Sequence, residues 1–152
     1  MALGPPAPQL ERPDDPWAWH GMEPLSAHAM RRRRRLDLAP GYEVDVHFRD
    51  SHMDEEYAES VVHEYSVTGA VDAVTGTVTG MAAQARVLPW MECPGAVASA
   101  TRLVGMPAAE LRGWVRRELT GATTCTHLND TLRSLADVTA LAGLLAPGPQ
   151  AG

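Results

Sequence analysis

Apolar and polar positions alternate through the middle of the chain and then change to helical spacing, which divides it into a sheet part and a helical part. After Pro40 and Gly41, which mark a turn, Val44, Val46 and Phe48 alternate with Asp45, His47 and Arg49. A period of two predicts a half-buried strand. A second strand is predicted over residues 61–68, with Val61, His63, Tyr65 and Val67 on one face. A third runs over residues 77–88, after a turn at 73–76, with Gly80 as a bulge or break. The acidic residues 50–59 read as a loop.

Beyond Trp90 the period moves to near 3.6. Pro94 suits the first turn of a short helix and Gly105 suits its stop. A second helix starts after Pro107, carries Leu111, Trp114, Val115 and Leu119, and ends at Gly121. A third, from Thr126, sets Leu128, Leu132, Leu135, Val138, Leu141 and Leu145 in a row that should be buried. Strands followed by helices predict an α+β domain: an antiparallel sheet of about three or more strands, with three helices packed on one face. No internal repeat is visible.

The ends differ from this body. Residues 1–30 hold Pro5, Pro6, Pro8, Pro13, Pro16 and Pro24 without any period, so they are expected to be extended or poorly ordered, with Trp17 and Trp19 able to dock onto the body. Residues 147–152 read as a disordered tail. That leaves 31–146 as a single domain, in keeping with 152 residues, enough for one core and short for two.

Charge narrows the function classes. With 13 basic and 19 acidic residues the net charge is -6, which argues against a general nucleic-acid binder. Every basic residue is arginine, and five stand together at 31–35, read as a solvated or tail segment. Two cysteines allow at most one disulfide, and no apolar stretch of signal-peptide length opens the chain, so a cytoplasmic location is expected. No stretch approaches the roughly 20 apolar residues that cross a bilayer. A glycine-rich phosphate loop and a nucleophile elbow are both lacking.

The candidate chemistry lies at the helix starts. Cys93 and Cys125 each stand before or in the first turn of a helix, where unpaired N–H groups and the helix dipole stabilise a thiolate or an anion. His127 follows Cys125 by two residues, and His63 sits on the apolar face of its strand. Each has a plainer reading. The cysteines could be small core residues, His127 a cap near Thr124 or Thr126, and His63 a satisfied core histidine. His47 is placed on a solvated face with Asp45 and Arg49, and His47 and His52 compete with His63 as further members of the site. Asp50, Asp54, Glu55 and Glu56 read as a solvated loop, with Asp50 also able to hold a strand end or an arginine.

CPGAVASATRLVG and GWVRRELTGATTCTHLND together resemble a bacterial family known only as a domain of unknown function, in which a Cys-Pro segment, an LVG-like helix end, a GW element and a CTHL motif follow in this order. The resemblance covers roughly residues 31–145 and is most specific over 93–130. It implies no activity. In layout the chain also resembles NifU-like iron-sulfur scaffold proteins, which use three cysteines plus an acidic or histidine ligand. By that resemblance Cys93 matches the middle cysteine and Cys125 the last, while the first has no thiol counterpart and leaves His63 nearby.

Two function classes are carried forward. One is a small enzyme acting on an organic acid or acyl-type substrate by isomerisation, hydration or cyclisation. Cys93, Cys125, His127 and His63 would act as acid, base or nucleophile, or would bind Zn or Fe as a metal site. The other is a non-enzymatic metal or iron-sulfur scaffold. The expected partner is a small-molecule substrate, with neither nucleic acid nor membrane, and the oligomeric state, a homodimer included, is left open.

Overall fold

The computed structural model describes residues 4–15, 18–89 and 93–145, with Cys93 and Pro94 described in backbone only. Four strands form one antiparallel sheet in chain order: β1 (Met30–Leu38), β2 (Glu43–Met53), β3 (Glu59–Val71) and β4 (Val78–Val87). The predicted alternation is realised. Val44, Val46 and Phe48 of β2 and Tyr65 and Val67 of β3 are buried together beneath the helical layer. The turn at 73–76 forms around Asp72, whose Oδ1 accepts from the N–H groups of Val74 and Thr75. The irregularity expected at Gly80 is a register shift between Ala70 and Val71, next to the Ala70–Gly80 pair.

The helical part begins with a 3-10 segment, Cys93–Leu103, followed by a short turn at Ala108–Glu110 and the helices α1 (Leu111–Glu118), α2 (Thr126–Arg133) and α3 (Val138–Leu145). Leu103, Leu111, Val115, Leu128, Leu132, Leu135 and Val138 close the core over the sheet. The chain is therefore α+β as expected. Gly105 (φ +90) and Gly121 (φ +82) adopt the left-handed conformation at the two predicted stops, a conformation that costs a side chain more than a glycine.

Two helices differ from their predictions. The first is wound as 3-10, and Ser99 and Thr101 hydroxyls donate to the carbonyls of Ala96 and Ala98, three residues back. Such local bonds compete with regular α-helix geometry. The long third helix is interrupted at Ser134–Asp137, where the Ser134 hydroxyl bonds the Thr131 carbonyl at 2.6 Å. The break redirects the end of the leucine row, and Leu145 is exposed rather than buried.

Two polar stretches also depart from expectation. The arginine run is not a solvated tail; it forms most of β1, paired along its length with β2. Alternation sorts its side chains between acceptors on the two faces: Arg32 bonds Asp50 and Arg34 approaches Asp130, while Arg33 bonds Glu11 and Arg35 bonds the Ala18 carbonyl. Residues 50–59 are likewise not one loop. β2 continues to Met53 and β3 starts at Glu59, so Asp50 lies inside the sheet and is 4% exposed.

The proline-rich segment is extended where described. Ala7 donates to the Glu59 carbonyl and the Val61 N–H donates to Pro5, which adds a short bridge at the start of β3. Trp19 docks edge-on against His47. Trp17 and the 147–152 tail lie outside the described residues. Among the described residues no helix is long and apolar enough to cross a membrane.

Candidate active centre

The strand register builds the floor of the centre. Arg32, Asp50 and His63 are direct neighbours across β1, β2 and β3, and the next row towards the core consists of Arg34, Phe48 and Tyr65. Beyond Asp50 the β2–β3 register shifts, and β3 shifts again against β4 between Glu64 and Tyr65. Bulges of this kind re-aim side chains and are common beside active sites.

The start of α2 forms the roof. Cys125 is its N-cap residue, in extended conformation, and His127 lies in its first turn. The Tyr65 hydroxyl donates to Cys125 Sγ at 3.3 Å, and His127 Nδ1 lies 3.8 Å from the same sulfur. The other nitrogen of His127, Nε2, lies 3.6 Å from Asp50 Oδ2. The His127 ring stacks on His63 with centroids 3.6 Å apart. Asp50 in turn is clamped by Arg32, whose Nε and NH2 bond the two carboxylate oxygens at 2.8 Å each. A continuous line runs from the thiol through imidazole and carboxylate to guanidinium.

The electrostatics follow from this placement. Burial pushes the Cys125 thiol up, but the hydrogen bonds from His127 and Tyr65, with the N–H groups of Leu128 and His127 at the open end of α2, outweigh it and bring the pKa down to about 6. Burial lowers His63, a charge on His127 or Arg32 lowers it further, and Asp50 only partly opposes them, leaving it at about 4. His63 is thus neutral near pH 7. Its Nδ1 is buried without a hydrogen-bond partner, 4.0 Å from Asp50 Oδ2. Arg32 also lies over the Phe48 ring, 5.0 Å from its centroid, which fixes the guanidinium by cation–π attraction.

Three of the four residues expected at the site come together: Cys125, His127 and His63. Cys93 begins the 3-10 segment, but its side chain lies outside the described residues. His52 is in β2 opposite Met30 and Ser60 and does not belong to the Asp50, His63 and His127 group. His47 is on the opposite face of the sheet, as its alternation requires, but that face is not simply solvated. His47 Nε2 lies 2.9 Å from Glu64 Oε1, and Arg49, 5% exposed, bonds Glu64 Oε2. Burial raises Glu64, yet these two hydrogen bonds and the two charges lower it to about 2.

Asp50 and Arg32 are the members that the loop and tail readings passed over. Of the roles open to Asp50, the one realised is holding an arginine. The available signal was the strand alternation itself: extended two residues beyond Phe48, it puts position 50 on the buried face.

Comparison with curated proteins and with solved structures gives no match. A family model described as protein of unknown function does match, over residues 28–141, which takes in the whole sheet, Cys93, the Cys125–His127 pair and the first half of α3. On that match, the chain belongs to the DUF2889 family.

Proposed function

We propose that this protein is an enzyme that moves a proton on a small organic acid or acyl-type substrate, as in isomerisation, hydration or cyclisation, with Cys125 and His127 as the reacting groups. The observation that carries this reading is the line from Cys125 Sγ through His127 to Asp50 and Arg32. Asp50 Oδ2, 3.6 Å from Nε2, orients His127. His127 in turn favours the thiolate of Cys125. A thiol whose pKa is brought down to about 6 is available in both protonation states near neutral pH, which suits it to general acid and base work beside an imidazole.

The rim supports an acidic substrate. Arg32, Arg34 and Arg133 converge on Asp130, and with Asp50 on Arg32 three guanidiniums meet two carboxylates, an excess of one positive charge beside the centre. Arginine also matches carboxylates in geometry. The centre is open enough for entry, with His127 27% and Arg32 49% exposed. A cluster scaffold, the rival expectation, relies on several thiolates, whereas the described donors gathered here are one thiol, two imidazoles and one carboxylate.

The test is deuterium incorporation from D2O at the carbon next to the carboxyl or acyl group, followed by NMR over a panel of small carboxylic acids and thioesters. Exchange with the wild type that is lost in Cys125→Ser and His127→Ala supports the reading. No exchange on any member, or exchange unaffected by both substitutions, refutes it.

A further inference from the structure

We propose that the same centre binds one divalent transition-metal ion of the zinc class, through Asp50 Oδ2, His63 Nδ1 and His127 Nε2, with Cys125 outside the ligand set. This deepens the reading above, since it rests on that centre being the place of reaction. It also differs from the sequence expectation, in which Cys93 and Cys125 were ligands beside His127 and His63.

Three observations carry it. The first is convergence. One ligand atom from each of Asp50, His63 and His127 lies within 4.8 Å of the others, with 3.6 Å from His127 Nε2 to Asp50 Oδ2 and 4.0 Å from His63 Nδ1 to the same oxygen. Ligands bonded to zinc at about 2.0–2.1 Å in a tetrahedron stand roughly 3.4 Å apart, so seating the ion needs the two Asp50 distances to close by about 0.2 and about 0.6 Å and the stacked rings to turn until both lone pairs face it.

The second is the buried Nδ1 of His63. It has no hydrogen-bond partner, although its side chain is only 12% exposed. A buried polar atom without a partner is costly, and an ion at this position would relieve it.

The third is the arrangement behind the ligands. Arg32 holds both Asp50 oxygens, and a carboxylate still has free lone pairs to offer an ion. With Nε2 on the metal, the His127 proton would sit on Nδ1, facing the Cys125 sulfur at 3.8 Å as the outer-shell partner of a metal-bound histidine, and Cys125 would carry the proton transfer. Two imidazoles with one carboxylate favour a borderline transition metal over Mg²⁺ or Ca²⁺. Three protein ligands would leave a coordination position for water or substrate.

The full chain, purified without a tag and stripped with chelator, is titrated with Zn²⁺ by calorimetry and with Co²⁺ by optical absorption, alongside His63→Gln, Asp50→Asn, Cys125→Ser and Cys93→Ser. One ion per chain is expected. Affinity should fall in His63→Gln and Asp50→Asn by more than the roughly 10- to 100-fold that outer-shell changes cost, fall within that range in Cys125→Ser, and stay unchanged in Cys93→Ser. The Co²⁺ spectrum should show ligand-field bands without a thiolate charge-transfer band. Failure to bind saturably, binding by His63→Gln as tight as the wild type, or a charge-transfer band abolished in either cysteine variant would overturn the site. Deuterium exchange is repeated on the stripped and loaded protein. Exchange without metal binding removes the metal site alone, and metal binding without exchange in either state removes the proton-transfer reading alone.

Discussion

The state of Cys125 can be read directly from the pH dependence of its reaction with an aromatic disulfide, in a Cys93→Ser background so that the signal comes from one thiol. With a pKa of about 6 the sulfur is roughly nine-tenths thiolate at pH 7, against about 3% for an ordinary cysteine at about 8.5. That 30-fold advantage nearly vanishes in the rate. A thiolate of lower pKa is a weaker nucleophile, and a Brønsted slope of about 0.4–0.5 over roughly 2.5 pH units removes about 10- to 20-fold. At pH 7 the two thiols would therefore react within about threefold of each other. At pH 5.5 the thiolate fractions are about one in four and about one in a thousand, so an advantage of about 10- to 25-fold survives the same correction. The measurement must therefore be the full profile. We expect a midpoint near 6 for the metal-free protein, moving up towards the ordinary value in His127→Ala, with the rate at pH 5.5 falling by up to that factor. Tyr65→Phe should move it in the same direction, because its hydroxyl donates to the sulfur. A wild-type midpoint at 8 or above, or a midpoint that His127→Ala leaves in place, would refute the thiol–imidazole pairing.

Two further outcomes are expected. In metal-free protein, His63 stays neutral down to about 4 while the unfolded chain takes up a proton near 6.5, so stability is full above 6.5 and falls by roughly 3 kcal/mol as pH drops to 4. Urea midpoints followed over this range should flatten in His63→Gln, and an unchanged slope would contradict the burial argument. At the other end of the chain, a Cβ on Gly4 would lie 1.9 Å from the Val61 carbonyl oxygen, so Gly4→Ala should undock the N-terminal segment. Amide exchange at Val61, whose N–H donates to Pro5, should then speed up while that of Val67 in the core does not; equal protection in both proteins would show that the contact is dispensable.

Much of the fold was legible because burial imposes a period. β2, β3 and β4 alternate since one face of each is covered, and α1 and α2 show helical spacing for the same reason. Gly105 and Gly121 marked the stops through a backbone conformation that other residues resist. Cys125 and His127 were legible as a pair because two residues of separation at a helix start bring sulfur and ring together by local geometry alone.

The remainder depended on partners distant in sequence. No apolar period marks β1, because its arginines are satisfied on both faces by carboxylates and carbonyls from elsewhere, so a strand looked like a tail. Asp50 resembled one more acidic loop residue until pairing with β1 and β3 set it between Arg32 and His63. The sequence by itself thus determined the α+β order and the local thiol–imidazole pair, since both arise from short-range periodicity and helix-end geometry. Only the tertiary structure decided that this pair meets Asp50, Arg32 and His63, because cross-strand register joins residues 13 and 18 positions apart and the seating of α2 joins residues 64 and 77 positions apart.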